Sequence, residues 1–362
     1  MKKINLITAL FALAIIGFAS CKKSDVNNPQ DYNNAADLQK IQKFFDEHKP
    51  KYESFTLDAS TGGTITLASG TKITFAPNSF LKNGVPVIGN VNISALDILK
   101  PSSMILGDKP TVTNNGEMLE SFGEIKVDAQ QNGVALQLNN GNTDGAAGAA
   151  VALAVGPGKQ NQRDGFPIWD GDTTISQTTS GYNHENQMVS VTTQVTIKKG
   201  MDWTEIPGQM GYTDGTTSYF NLDSLGQWRN CDALYNDTRP KTTVLGYFGN
   251  LFNATNSSYM GQEPSMLFYK TKGTNTLVKL YNTIFNPIAG KEGFLSYQNT
   301  MPIGSEGTFL AITTKNNKFY AEMRDVTIGS PASGNNYVGY TFNFTEVSET
   351  QLLNLINQMN TK

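Results

Sequence analysis

The chain has little of what most catalytic centres are built from. Among 362 residues there are two histidines, His48 and His184, and two cysteines, Cys21 and Cys231. Two histidines exclude a His-rich metal cluster, and neither lies in an H-x-x-x-H helical pattern. Charge is scarce as well: 16% of residues are charged, with a net of -3. Without a basic excess there is nothing to neutralise a phosphate backbone, so nucleic acid is excluded as a partner. The longest apolar run, from Ile4 to Phe18, is about 15 residues, short of the roughly 20 that span a bilayer. No G-x-S-x-G elbow occurs, and no glycine-rich loop carries the Lys-Ser/Thr pair that grips phosphate and magnesium. No cofactor and no metal are expected.

What is present is a polar, turn-rich texture, with 34 glycines against 14 prolines and 38% hydrophobic residues. Such a composition reads as an exported all-β protein, not as disorder. The N-terminus explains the export. Met1-Lys2-Lys3 is a short positive region, Ile4 to Phe18 an apolar core, and Ala19-Ser20 a pair of small residues before Cys21. Phe18-Ala19-Ser20-Cys21 resembles a bacterial lipoprotein signal, with Phe18 where that pattern more often has Leu. The resemblance implies removal of residues 1–20, diacylglycerol on the Cys21 thiol, and anchoring of the mature chain to a membrane. Two acyl chains already suffice for a stable anchor. Lys22, in place of an Asp after the cysteine, resembles an outer-membrane address, compatible with either the periplasmic or the cell-surface face. With Cys21 acylated, Cys231 has no disulfide partner in the chain and is expected to pack as a small buried hydrophobe.

Residues 21–33 are polar and aperiodic, a tether. Leu38, Ile41, Phe44 and Phe45 form one stripe of a helix over residues 35–47, stopped by Pro50 and expected to pack on the sandwich that follows. Alternating segments come next: Thr64–Leu67, Thr71–Phe75, Asn90–Leu96, Phe122–Val127, Val134–Leu138 and Val151–Val155. They are punctuated by Ser69-Gly70, Asn83-Gly84 and Asn132-Gly133. This spacing predicts a first β-sandwich within residues 34–160. Residues 161–240 read as a connecting β-rich region. From residue 241 to 362 a second sandwich is expected, with a hairpin turning at Asn316-Asn317. A capping box at Ser348 to Gln351 opens a C-terminal helix expected to cover the end or edge of this sandwich. The fold class is therefore all-β: two β-sandwich domains, a short N-terminal helix and a C-terminal capping helix.

Gly62-Gly63-Thr64-Ile65 through Gly70 to Phe80 resembles the sandwich domain shared by ankyrins, netrin receptors and zona-occludens proteins. It resembles still more closely the version that recurs in uncharacterised Bacteroidetes lipoproteins, where Leu119 to Ile125 also finds a counterpart. Some relatives cleave themselves at a His-Phe-Ser sequence, which this chain lacks.

Within the connecting region, Gly226-Gln227-Trp228-Arg229-Asn230-Cys231-Asp232 resembles a "GW-N-C-D" segment of the same lipoprotein group, with Gln227 inserted. Trp228, Asn230 and Asp232, together with Trp169, Asp170 and Asp172, are the candidate polar or aromatic binding residues. For Trp228, Asn230 and Asp232 a structural corner with fixed partners is the competing reading. Asp172-Thr173-Thr174 and Asp223-Ser224-Leu225 resemble O-glycosylation triplets of such envelope proteins. The functional expectation is a non-catalytic module that binds a glycan or a protein in the envelope. The alternatives are a carboxylate-based hydrolase using Asp170, Asp172 or Glu185, and an architectural envelope component.

Overall fold

A computed structural model describes residues 34–113, 116–140, 148–156, 163–183, 188–253, 263–285 and 287–362. The signal residues, Cys21 and the tether lie outside these, as do His184 and Glu185. The described residues belong to one compact unit. The fold is all-β, with three short α-helices among the described residues: α1 (Asn34–His48), α2 (Pro101–Gly107) and α3 (Glu349–Gln358). No helix among the described residues is long and apolar enough to cross a membrane.

The first sheet system runs in the order Glu53–Asp58, Asn90–Ile98, Leu119–Gln131, Trp228–Leu234, Arg163–Asn183, Met188–Thr213, Thr217–Leu222, Ala149–Ala154, Lys72–Phe75, Gly63–Thr66. Its two terminal strands share no ladder among the described residues and are linked by the turn after Asp58. The Glu53 carboxylate accepts from the Ala68 backbone N–H at 3.0 and 3.1 Å, helping to fasten the ends. Inward residues alternate with exposed ones, as in Lys72–Phe75 and Ala149–Ala154. The inward set, including Ile73, Phe75, Ile93, Phe122, Val127, Val151 and Leu153, fills one core. Both Asn-Gly turns take positive φ at each residue, 51° and 79° at Asn83-Gly84 and 53° and 76° at Asn132-Gly133. That is the twist a tight hairpin needs. The stretch read as a connecting region supplies central strands, and Phe166, Ile168, Phe220, Leu222 and Cys231 belong to the same core.

The second sheet has five strands in the order Leu277–Lys279, Ser265–Thr271, Glu306–Lys315, Lys318–Thr327, Thr345–Val347. Every residue of Ser265–Thr271 is buried. One face packs through Leu267, Tyr269, Phe309 and Ala311 against Val244, Phe248, Phe294 and Phe342. The other face, Met266, Phe268, Leu310 and Ile312, is roofed by the three helices.

Both terminal helices thus pack elsewhere than expected: α3 lies on a face of the five-stranded sheet and not at its end or edge, and α1 lies on this sheet and not on the first. Ile41, Phe44 and Phe45 of α1 lie on the five-stranded sheet, with the Phe44 and Phe319 rings 5.5 Å apart. The buried Asp37 accepts from the backbone N–H groups of Asn316 at 3.2 Å and Asn317 at 2.7 Å, and from Asn253 Nδ2 at 2.9 Å. The physical reason is vacancy: the first sheet fills its own interior, whereas the second leaves an apolar face that its own hairpins cannot cover. The Asn316-Asn317 turn has φ of 51° and 61°, the predicted positive-φ pair. At α3 the capping box is complete, with Gln351 N–H donating to Ser348 Oγ at 3.2 Å and Ser348 N–H to Gln351 Oε1 at 2.8 Å. The seven-residue α2, opened by Pro101 and closed by Asp108 in the left-handed region, was not anticipated. It is too short to display a period.

Candidate functional site: the tryptophan cluster and its buried carboxyls

The strand Trp228–Leu234 lies between Leu119–Gln131 and Arg163–Asn183. Asn230 stands opposite Glu124 and Trp169, while Asp232 stands opposite Ser121. One strand therefore advances three residues while its neighbour advances two, a β-bulge at Phe122-Gly123. Bulges re-aim side chains, and this one brings both Ser121 and Glu124 beside the Asn230–Asp232 row. Gly123 makes the bulge possible: its φ is 126°, and a Cβ there would sit 2.7 Å from Leu153.

All three tryptophans of the chain meet here, packed with Leu119 and Met201. The Trp169 indole N–H donates to the Asp232 carbonyl at 2.8 Å, and the Trp203 indole N–H to the Pro110 carbonyl at 2.9 Å. Trp228 is half-buried, with the Lys109 ammonium 5.3 Å from its ring centre. Behind this cation–π contact lie Glu124, Asn230 and Asp232, each 0% exposed. Asn230 Nδ2 donates to Asp232 Oδ2 at 2.5 Å. Neither oxygen of Glu124 has a hydrogen-bond partner, nor does Asp232 Oδ1.

Burial disfavours the charged form of an acid. It holds the Glu124 carboxyl well above the usual range, and the neighbouring Asp232 charge adds to the rise. Asp232 is pushed up to about 8 by burial, against hydrogen bonds from Ser121, Asn230 and the Phe122 backbone. Lys109 is drawn down by its own burial, opposed by Asp108 and Glu124. Cys231 is fully buried, and desolvation raises its thiol well above the ordinary value. It is the inert small hydrophobe expected of it.

The predicted residues therefore divide. Trp169, Asn230 and Asp232 converge in the interior and have almost no surface to offer a ligand, while Trp228 forms the rim. Asp170 points to the opposite face of its strand, where it accepts from Arg229 Nη1. The Arg229 side chain, 5% exposed, also holds Asp223 in a fork, Nε to Oδ1 at 2.6 Å and Nη2 to Oδ2 at 3.0 Å, and donates to Ser224 Oγ at 2.5 Å. Asp170 is thus an ion-pair partner. Asp172, two residues on, is exposed and opposite Asp202. In the second glycosylation triplet the Ser224 hydroxyl is engaged by Arg229; the side chains of Thr173 and Thr174 lie outside the described residues. Glu124, Lys109 and Ser121 were not singled out by sequence reasoning. An acid inside the apolar run Phe122–Val127 was the available signal.

Two other places bear on chemistry. Glu47, His48 and Glu349 bring metal-type donor atoms within 4.8 Å of one another where α1 meets α3, with His48 Nε2 3.3 Å from Glu349 Oε1 on the surface. An open groove of about 720 Å³ is bordered by Lys272, Glu306, Asp325 and Lys362. Its charges pair across it, Lys272 with Glu306 at 2.6 Å and Lys362 with Asp325 at 3.2 Å. No protein-family model matches the chain, and neither a curated protein nor a solved structure is similar to it.

Proposed function

We propose that this chain is an exported protein held at the outer membrane by acylated Cys21, that its work is binding without catalysis, and that it meets a glycan through the face carrying Tyr212 and Tyr219. The observation that carries the reading is this aromatic pair. Tyr212 and Tyr219 are directly opposite on neighbouring strands, with rings stacked 4.8 Å apart at 18°. Tyr212 is 52% exposed and the adjacent Met210 58%. The row continues in register through Ala152 to Lys72 and Thr66 on the outer face of the sheet. Beside it, Asp214 Oδ1 accepts from Thr216 N–H at 2.8 Å, Thr216 Oγ1 at 2.7 Å and Thr217 N–H at 2.8 Å. These bonds, led by the Thr216 hydroxyl, hold its carboxyl down at about 2. Its Oδ2 accepts from the Tyr219 hydroxyl at 3.3 Å. A rigid aromatic surface beside a fixed carboxylate acceptor suits a ring with one apolar face and hydroxyl edges.

The hydrolase alternative is supported less. Its residue Asp170 is bound by Arg229, and the raised carboxyls Glu124 and Asp232 are shut away from any substrate. The deciding experiment is a screen of envelope glycans against the wild type and a Tyr212→Ala/Tyr219→Ala double variant. Binding that vanishes in the folded double variant supports the reading. Binding that persists in the variant, or capture of a protein partner instead, removes the glycan face. Protease shaving of intact cells, with Cys21→Ala as control, tests the anchor. A Cys21→Ala chain that still fractionates with membrane refutes it.

A further inference from the structure

Asp108 and Lys109, the dipeptide that follows α2, each touch a different sheet. Asp108 Oδ1 is 2.6 Å from Lys279 Nζ on the strand Leu277–Lys279 of the five-stranded sheet, and both side chains are almost fully buried, at 6% and 3% exposure. The Lys109 ammonium donates to the Gly107 carbonyl at 3.0 Å and the Asp108 carbonyl at 3.4 Å and lies 5.3 Å from the ring centre of Trp228 in the first sheet, where the Glu124 charge acts on it without a direct bond. The strip that follows stitches the same seam. Thr111 N–H donates to the Leu277 carbonyl at 2.8 Å, Leu277 N–H donates to Thr111 Oγ1 at 2.8 Å, Pro110 accepts from Trp203, and Thr113 bridges to Trp203.

Counting charges across this seam shows what it requires. Asp108, Glu124 and Asp232 are three buried acids facing one buried ammonium group, Lys279, while Lys109 and Lys126 are half-buried. With both Glu124 and Asp232 ionised, two carboxylates would stand fully buried side by side in a medium where that is very costly. Three carboxyl oxygens, both of Glu124 and Oδ1 of Asp232, have no hydrogen-bond donor. One proton removes one of these charges and supplies the missing donor at once.

We propose that Glu124 and Asp232 share one bound proton whenever the two sheets are docked, and that its loss in alkaline solution loosens the Asp108–Lys109 seam. The acid pair is then a pH-dependent latch between the first sheet and the helix-covered second sheet. The other titratable groups that face the latch are known. Lys126 and Lys279 face Lys109, Glu120 and Cys231 neighbour Asp232, and Asp202 and Tyr297 face Tyr281 beside Asp108. The two lysines bear on an amine already balanced by Asp108 and Glu124. Glu120 adds repulsion that favours the proton. None of these groups offers a second donor to the three bare oxygens. The inference does not depend on the glycan or lipid-anchor reading.

Because all three tryptophans lie at this seam, the intrinsic fluorescence of the whole chain reports it. The test follows emission of the intact soluble chain from about pH 5 to about pH 9. The wild type is expected to shift to the red in a single-proton transition as the cluster admits water, and Glu124→Gln, whose amide donates without ionising, is expected to stay unshifted. A wild type without a transition, or Glu124→Gln with the same one, overturns the proposal. Should Glu124→Gln not fold, infrared spectra of the wild type decide. A protonated carboxyl carbonyl band at neutral pH that disappears above the transition is expected, and its absence at neutral pH refutes the shared proton.

Discussion

The two sheets solve the burial problem in opposite ways. The first folds around its own core: its outer face is polar, its inner face apolar, and its two ends are held near each other by the turn after Asp58 and by Glu53. The five-stranded sheet is apolar on both faces and borrows a roof from α1, α2 and α3, elements drawn from the start, the middle and the end of the chain. A sheet exposed on one side alternates, and a sheet covered on both reads as a continuous apolar run. Met266-Leu267-Phe268-Tyr269 is such a run, though its strand pairs antiparallel with both neighbours. Cover, not strand direction, sets the pattern.

The largest effect should separate the two sheets by substitution at one site in each. Phe268→Ala removes a fully buried ring from under the helices and is expected to cost about 3–5 kcal/mol in urea unfolding. Thr66→Ala, on the outer face of the first sheet, should change stability by no more than about 0.5 kcal/mol. Equal costs would mean that the first sheet's outer face is covered by something.

Next in size is the tie between α1 and the second sheet. Asp37 is buried and its carboxylate accepts three N–H groups. Asp37→Ala leaves the two turn amides and Asn253 without this acceptor, and should cost about 2 kcal/mol. Asp37→Asn, keeping one acceptor oxygen, should recover part of that. A loss confined to fraying of α1, with the global unfolding midpoint unchanged, would show that the roof and the sheet unfold separately.

The seam between the sheets predicts an effect that is small per pH unit and graded. A carboxyl whose pKa is raised on folding binds more protons in the native state than in the unfolded one over the interval between the two values. Stability is then fully present below about pH 4 and is lost as pH rises through the folded value near 8. The decline has a limit of about 1.4 kcal/mol per pH unit for one proton. Asp232→Asn should flatten it while Asp172→Asn leaves it in place. Identical slopes in both variants would assign the dependence to other groups.

Much of this is legible in the sequence. Alternation and Asn-Gly turns exposed the first sheet's hairpins because each strand carries its own inside-outside code. The capping box exposed α3, and the pair Asn316-Asn317 exposed its hairpin. What stayed hidden is long-range. Nothing local in Leu38, Ile41, Phe44 and Phe45 says which sheet they roof, since a stripe specifies that a face is buried and not against what. The acid pair was half visible. Asn230 and Asp232 were picked out by a motif, but Glu124 reaches them only through a bulge, and a bulge breaks the period on which sequence reading depends. Asp170 looked like a free carboxylate because its partner Arg229 lies 59 residues away in sequence.

The smallest effect tests whether the roof is built as firmly as the sheet beneath it. Ser348 is the N-cap of α3 and joins its reciprocal pair with Gln351. Leu352 and Ile356 of the same helix are fully buried in the cluster that includes Phe268 and Leu310. If helix and sheet form one cooperative unit, Ser348→Ala should lower global stability by about 1 kcal/mol, the ordinary value of a lost cap. Its effect should add to that of Thr66→Ala, which is remote from it. If α3 instead opens by itself, the substitution should raise hydrogen exchange only along Glu349–Gln358 and leave the unfolding midpoint where it was. The first outcome makes the helices part of the second sheet's core. The second makes them a detachable lid, and the contrast between a sheet folded around its own core and a roofed one becomes a contrast in dynamics as well as in packing.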